Sequence, residues 1–172
     1  MKELTLSANA NLAKDDYPDS VIGLTENEET NYSINANAIV LQKLNLNAFY
    51  SVAKIHYDQQ GAQATALPFP TAVNWSAKND ETVTTNGIDA NFFLYDGELK
   101  LGMSYTYADG LGETQYSLKP NPGPDDFPHL LSQRESVFIY AHYKIKKNLI
   151  LKLSHTYEKY EEEDYALNGV NP

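Results

Sequence analysis

The sequence predicts an all-β fold: an antiparallel, up-and-down transmembrane β-barrel segment of about seven strands, with short periplasmic turns, long extracellular loops and the barrel left incomplete. Three observations carry this. Apolar and polar residues alternate with period 2 through run after run, the mark of strands with one greasy and one wet face. Short turns and long loops alternate along the chain, so the long connections all fall at one end of the strands. Mean hydropathy is −0.49 and no apolar run approaches helical-span length. That excludes membrane helices but not strands that turn half their side chains to a wet lumen.

The clearest run follows the Asp96-Gly97 turn. Leu99, Leu101, Met103, Tyr105 and Tyr107 fall on one face, and Lys100, Gly102, Ser104 and Thr106 on the other. A second Asp-Gly, Asp109-Gly110, is expected to end this strand at about 108. Taken in order, 3–13 places Leu4, Leu6, Ala8, Ala10 and Leu12 opposite Thr5, Ser7, Asn9 and Asn11. A polar loop is expected over 14–30. Residues 31–41 set Tyr32, Ile34, Ala36 and Ala38 against Ser33, Asn35 and Asn37, and Gln42-Lys43 makes a turn. Residues 44–57 set Leu44, Leu46, Ala48 and Tyr50 against Asn45, Asn47 and Ser51. Their phase blurs at 54–57, where a bulge or the membrane exit is expected. A loop over 58–81, holding Trp75, precedes a strand at 82–95 with Ile88, Ala90 and Phe92 opposite Gly87, Asp89 and Asn91. A proline-rich loop spans 109–134. Residues 135–146 follow, with Phe138 and Tyr140 interrupting the polar face, then a Lys146–Asn148 turn and a last strand at 149–160.

Tyrosine dominates the aromatics, 13 against 6 Phe and 1 Trp, which suits strands and membrane interfaces. Tyr32, Tyr50, Tyr105, Tyr107, Tyr143 and Tyr157 all fall on apolar faces, and a girdle near the long-loop ends is expected. The net charge of −10 argues against nucleic acid as a partner. With no cysteine, a disulfide scaffold, a thiolate metal site and covalent haem attachment are excluded. Seven strands, no signal-like start and a polar end lead us to expect residues 1–172 to be a single β-barrel region and a fragment of a larger barrel, with its export signal elsewhere; its place as the C-terminal portion is what the family resemblance described below implies.

The candidate chemistry is sparse. His56, His129, His142 and His155 read as surface or lumen histidines. Ser154-His155 suggests a hydrolase pair, but strand neighbours point to opposite faces and no Gly-x-Ser-x-Gly elbow exists. The acidic clusters Asp15-Asp16, Glu26 with Glu28-Glu29, and Glu161–Asp164 lack calcium-loop spacing and read as solvated surface. No catalytic residue and no metal site are assigned, and no enzyme is expected.

The segments SYTYADGLGETQYS (104–117) and FPHLLSQRESVFIYAHYKIKKNLILKLSHTYEKYEEEDYALNGVNP (127–172) resemble the C-terminal part of the MtrB/PioB decahaem-associated outer-membrane barrels. The hallmark is a tyrosine-rich strand, an acidic run and the element Asp164–Val170, with Tyr165 where the family pattern has tryptophan. The resemblance implies a bacterial outer-membrane sleeve. A periplasmic multihaem cytochrome would sit inside it and an extracellular cytochrome would dock on its loops. Haem would be carried by the partner and no cofactor by this chain. The lumen-facing candidates for cytochrome contact are then Asn35, Asn37, Asn45, Asn47, Asp89, Asn91, Lys100, His142, Lys144 and Lys152. Two alternatives stand beside it: a general porin or channel, and a soluble carbohydrate-binding β-sandwich with Trp75 at a ligand-binding loop tip.

Overall fold

The computed structural model describes residues 3–41, 43–62, 75–118 and 127–163. The strands are β1 (Glu3–Asp16), β2 (Gly23–Leu41), β3 (Leu44–Gly61), β4 (Trp75–Leu94), β5 (Leu99–Leu118), β6 (Leu130–Lys146) and β7 (Leu149–Glu163). They form one antiparallel sheet in sequence order, each strand paired with its neighbours in the chain. A single 3-10 turn, Tyr95–Gly97, joins β4 to β5.

Register makes the two faces continuous across all seven strands. One apolar row reads Leu6, Ala36, Ala48, Ile88, Tyr105, Val137, Tyr157. The polar row beside it reads Ser7, Asn35, Phe49, Gly87, Thr106, Ser136, Glu158. Among the described residues no hydrophobic side chain is buried, and Leu6, Ile34, Met103 and Leu153 are all more than half exposed. The accessible area is 12451 Å², against about 8,500 Å² for a compact domain of this mass. A single layer with its greasy face uncovered has no aqueous core. This removes the sandwich alternative, which needs a second sheet packed on the first.

The apolar stretch of β5, Leu99 to Tyr107, spans nine residues. At about 3.4 Å per residue and the usual tilt of about 40°, that is ~23 Å, close to the apolar band of an outer-membrane barrel.

Every expected strand is present, but the strands are longer than the sequence suggests, 14–20 residues each. The expected loop at 14–30 shrinks to residues 17–22, because β1 and β2 pair out to Asp16↔Glu26. The loop expected at 58–81 gives up Asp58–Gly61 to β3 and Trp75–Glu81 to β4. Trp75 therefore sits at a strand start, paired with Gly61 and Leu118, and not at a loop tip. Asp109-Gly110 does not end a strand; the two residues pair with Gln133 and Ser132 in mid-ladder. The reason is common to all four. Hydrophobic alternation marks only the stretch that meets lipid, whereas backbone pairing continues into water with no apolar signature.

The blurred phase at 54–57 is not a bulge: register runs unbroken from Ile39↔Asn45 to Glu26↔Asp58. It is where the β3 apolar face gives way to Lys54 and His56. The shifts lie at Leu24/Glu26, Ile39/Leu41 and Lys144/Lys146. The Asp164–Val170 element, Gln42 and most of the proline-rich segment lie outside the described residues.

Candidate functional site

The polar face carries all ten candidates. Asn37, Asn47 and Asp89 share a row, with Asn47 Nδ2 donating to Asp89 Oδ2 at 3.0 Å. Asn45 and Asn91 share the next. Lys100, His142 and Lys152 form a third, close to the turns. Asn35 lies beside Phe49 on the far side of the Asn37 row. Lys144 sits at the β6 shift, pairs with Ile150, and donates its backbone N–H to Glu98 O at 2.8 Å.

The sequence pattern did not disclose how aromatic side chains line this face. Gly61, Gly87, Gly102, Gly110 and Gly112 all lie on it. Phe49 lies over Gly87 and Trp75 over Gly61; a Cβ at either glycine would sit 2.5 Å from the ring. Tyr140 crosses Gly102 in the same way, and its hydroxyl donates to Asn91 Oδ1. The rings therefore lie along the wall and not across the lumen. Tyr140 interrupts the sequence alternation for this reason: it covers backbone that Gly102 leaves bare, and Phe138 packs beside it with ring centres 5.7 Å apart. Lys100 Nζ stands 5.6 Å from the Phe93 ring centre and 5.2 Å from that of Tyr140, and the Tyr140 and His142 rings are 4.8 Å apart. At the other end Trp75 stacks on Tyr116, with ring centres 6.1 Å apart, and Tyr116 meets Phe127.

The tyrosines of the apolar face support a girdle with one correction. Tyr32, Tyr50, Tyr105, Tyr107 and Tyr157 occupy adjacent rows at the loop side of the band. Tyr143 does not; it pairs with Leu99 and Leu151, beside the turns. Antiparallel direction explains this: β6 enters the band from the loop side, so a residue late in β6 lies at the turn end. His155 pairs with Ile139 on the apolar face and is no lumen residue.

Beyond the girdle the apolar-side positions become charged. Lys14 bonds Glu26, and Lys78 lies 3.5 Å from Asp58. His56 Nδ1 is 2.8 Å from Asp80 and Nε2 3.2 Å from Asp58. The Asp80 hydrogen bond, with the charges of Asp80, Asp58 and Glu26, outweighs partial burial and raises the His56 pKa above its usual value.

These features (a coreless sheet, a lipid-height apolar band, a tyrosine girdle and a small-residue wet face) are those of an outer-membrane barrel wall. The family model of the outer membrane beta-barrel porin MtrB/PioB matches residues 1–172. The chain belongs to the MtrB/PioB family. It is also 28% identical over 175 residues to the outer membrane protein MtrB of Shewanella baltica (strain OS185), a match covering 99% of this chain and 24% of that protein. The chain thus spans about a quarter of the length of this MtrB relative. Membership fixes the setting as the outer membrane.

Proposed function

We propose that this chain forms one arc of a larger MtrB/PioB barrel wall, and that the barrel sheathes a multihaem cytochrome for electron transfer across the outer membrane. The observation that carries this reading is the polar face with its aromatic rings laid over neighbouring strands. Rings cover three of its glycines, Gly61, Gly87 and Gly102, and its mid-height rows are mainly Asn, Ser and Thr, so a folded protein surface can pack closely against it. Asn35, Asn37, Asn45, Asn47, Asp89 and Asn91 form the mid-height contact, and Lys100, His142, Lys144 and Lys152 the contact near the turns. Among the described residues no three His, Cys, Asp or Glu side chains converge on a metal position. In this reading the haems belong to a periplasmic cytochrome within the barrel, with an extracellular cytochrome on the loops. The wall excludes lipid and fixes the spacing of the carriers; it performs no catalytic step.

The test is purification of the tagged full-length barrel from native outer membranes in mild detergent. A co-purifying haem protein and low pore conductance are expected. A haem-free preparation with large, steady conductance overturns the sleeve and leaves a solute channel.

A further inference from the structure

The net sign of the charge on the polar face differs between its two ends, and among the described residues the charges at both ends form no ion pairs. Among the described residues the ion pairs lie on the opposite side of the sheet, apart from Arg134–Glu158 in mid-face. Near the turns Lys100, Lys144 and Lys152 form no ion pair among the described residues and outnumber the acidic residues at that end, Glu3 in the row of Asn45 and Asn91 and Glu98, whose carbonyl accepts from Lys144 N–H. Near the loops Glu29, Glu81 and Glu162 have no basic partner. Between them the rows are chiefly Asn, Ser, Thr and Gly, with Asp89 hydrogen-bonded by Asn47.

The two groups are far apart. From Glu81 to Phe93, which sits beside Lys100, β4 runs twelve residues, or about 40 Å of strand. Several Debye lengths fit in that span at about 8 Å each, so each end acts on whatever lies next to it. The cationic end is also held in place, with Lys100 seated between Phe93 and Tyr140, and Tyr140 anchored to Asn91.

We infer that the lumenal wall is an electrostatic orienting surface: it receives a protein whose end at the periplasmic turns is acidic and whose end at the extracellular loops is basic, and so admits it in one direction. This rests on the sleeve reading and adds the partner's polarity. An excess of charge of one sign at each end steers a complementary protein inward and disfavours the reversed insertion, where like charges would meet.

The experiment uses the full-length barrel, purified from native membranes at stepped NaCl, with co-eluting haem absorbance per barrel as readout. Wild type is expected to retain haem, and to lose it progressively as salt rises. The double variant K100E/K152E is expected to lose on the order of tenfold or more of that haem at low salt. K100Q/K152Q removes charge while keeping polarity, and an intermediate loss is expected even if charge reversal blocks assembly. K147E changes the same charge at the same end but in the β6–β7 turn, off the polar face, and should leave haem retention unchanged. Haem in wild type, with full retention in K100Q/K152Q or equal loss in K147E, overturns the orienting surface and leaves the sleeve standing. No haem in wild type overturns both.

Discussion

At the residue scale, the register assigns each side chain of β5 to the apolar or the polar face, which in the proposed barrel wall meet lipid and lumen. Met103, paired with Ala90 and Ile139, lies at mid-height of the band and is 51% exposed. Met103→Arg should cost about 2–4 kcal/mol in a folded barrel, and Leu101→Arg less, because Leu101 lies nearer the turns. Ser104→Arg, on the lumen side, should be tolerated far better. Urea titrations of the refolded full-length barrel in lipid vesicles would show this ordering. Equal damage from Met103→Arg and Ser104→Arg would contradict the facing. A second prediction concerns Gly102. Gly102→Ala displaces the Tyr140 ring and breaks its bond to Asn91. Its cost should be about 1–2 kcal/mol with Tyr140 present and close to zero after Tyr140→Ala, where nothing remains to be displaced. Additivity in that double-mutant cycle would mean that the ring does not cover the glycine.

At the element scale, the β4–β5 hairpin depends on three consecutive left-handed residues: Tyr95 at φ 50°, Asp96 at φ 54° and Gly97 at φ 90°. Only the last can hold that angle without strain. Gly97→Ala should cost about 1–2 kcal/mol, read by slower refolding and a lower urea midpoint, with Asp96→Asn nearly neutral. The strand extensions beyond the band depend on ladder bonds and ion pairs instead of lipid. His56 is their pH-sensitive element. Its pKa is raised in the fold by the hydrogen bond to Asp80. The contribution is therefore fully present below the unfolded value of about 6.5 and is lost as pH rises through the raised folded value. Protease cutting within the paired ends Asp58–Gly61 and Trp75–Glu81 should increase across that window and become pH-independent in Asp80→Asn. Cutting that falls as pH rises would reverse the sign.

At the scale of the whole molecule, the uncovered apolar face decides the solvent. The isolated chain should show little strand signal by far-UV circular dichroism in plain buffer and gain it in detergent micelles. A cooperative fold in buffer would mean that a second layer covers the face. Both edge strands, β1 and β7, also present unpaired backbone groups, which hydrocarbon does not tolerate. A stable wall therefore requires further strands on each side, in keeping with a chain that spans about a quarter of its MtrB relative.

The sequence determined the strand number, the identity of the two faces, the pairing of neighbours and the membrane setting. Each follows from period-2 alternation such as Leu99 to Tyr107 against Lys100 to Thr106, and from connection length, and both are local. Where each strand stops was not legible, since past Tyr107 the ladder continues with no lipid to impose a pattern. Nor could alternation show that Tyr140 covers Gly102 and reaches Asn91, or that Tyr143 stands at the turn end. Those facts depend on register between strands far apart in the chain. The excess of lysine at one end of the polar face and of glutamate at the other is the same kind of fact. A linear charge count gives −10, and only the paired sheet separates the charges that neutralise one another from those left without an ion pair on the polar face.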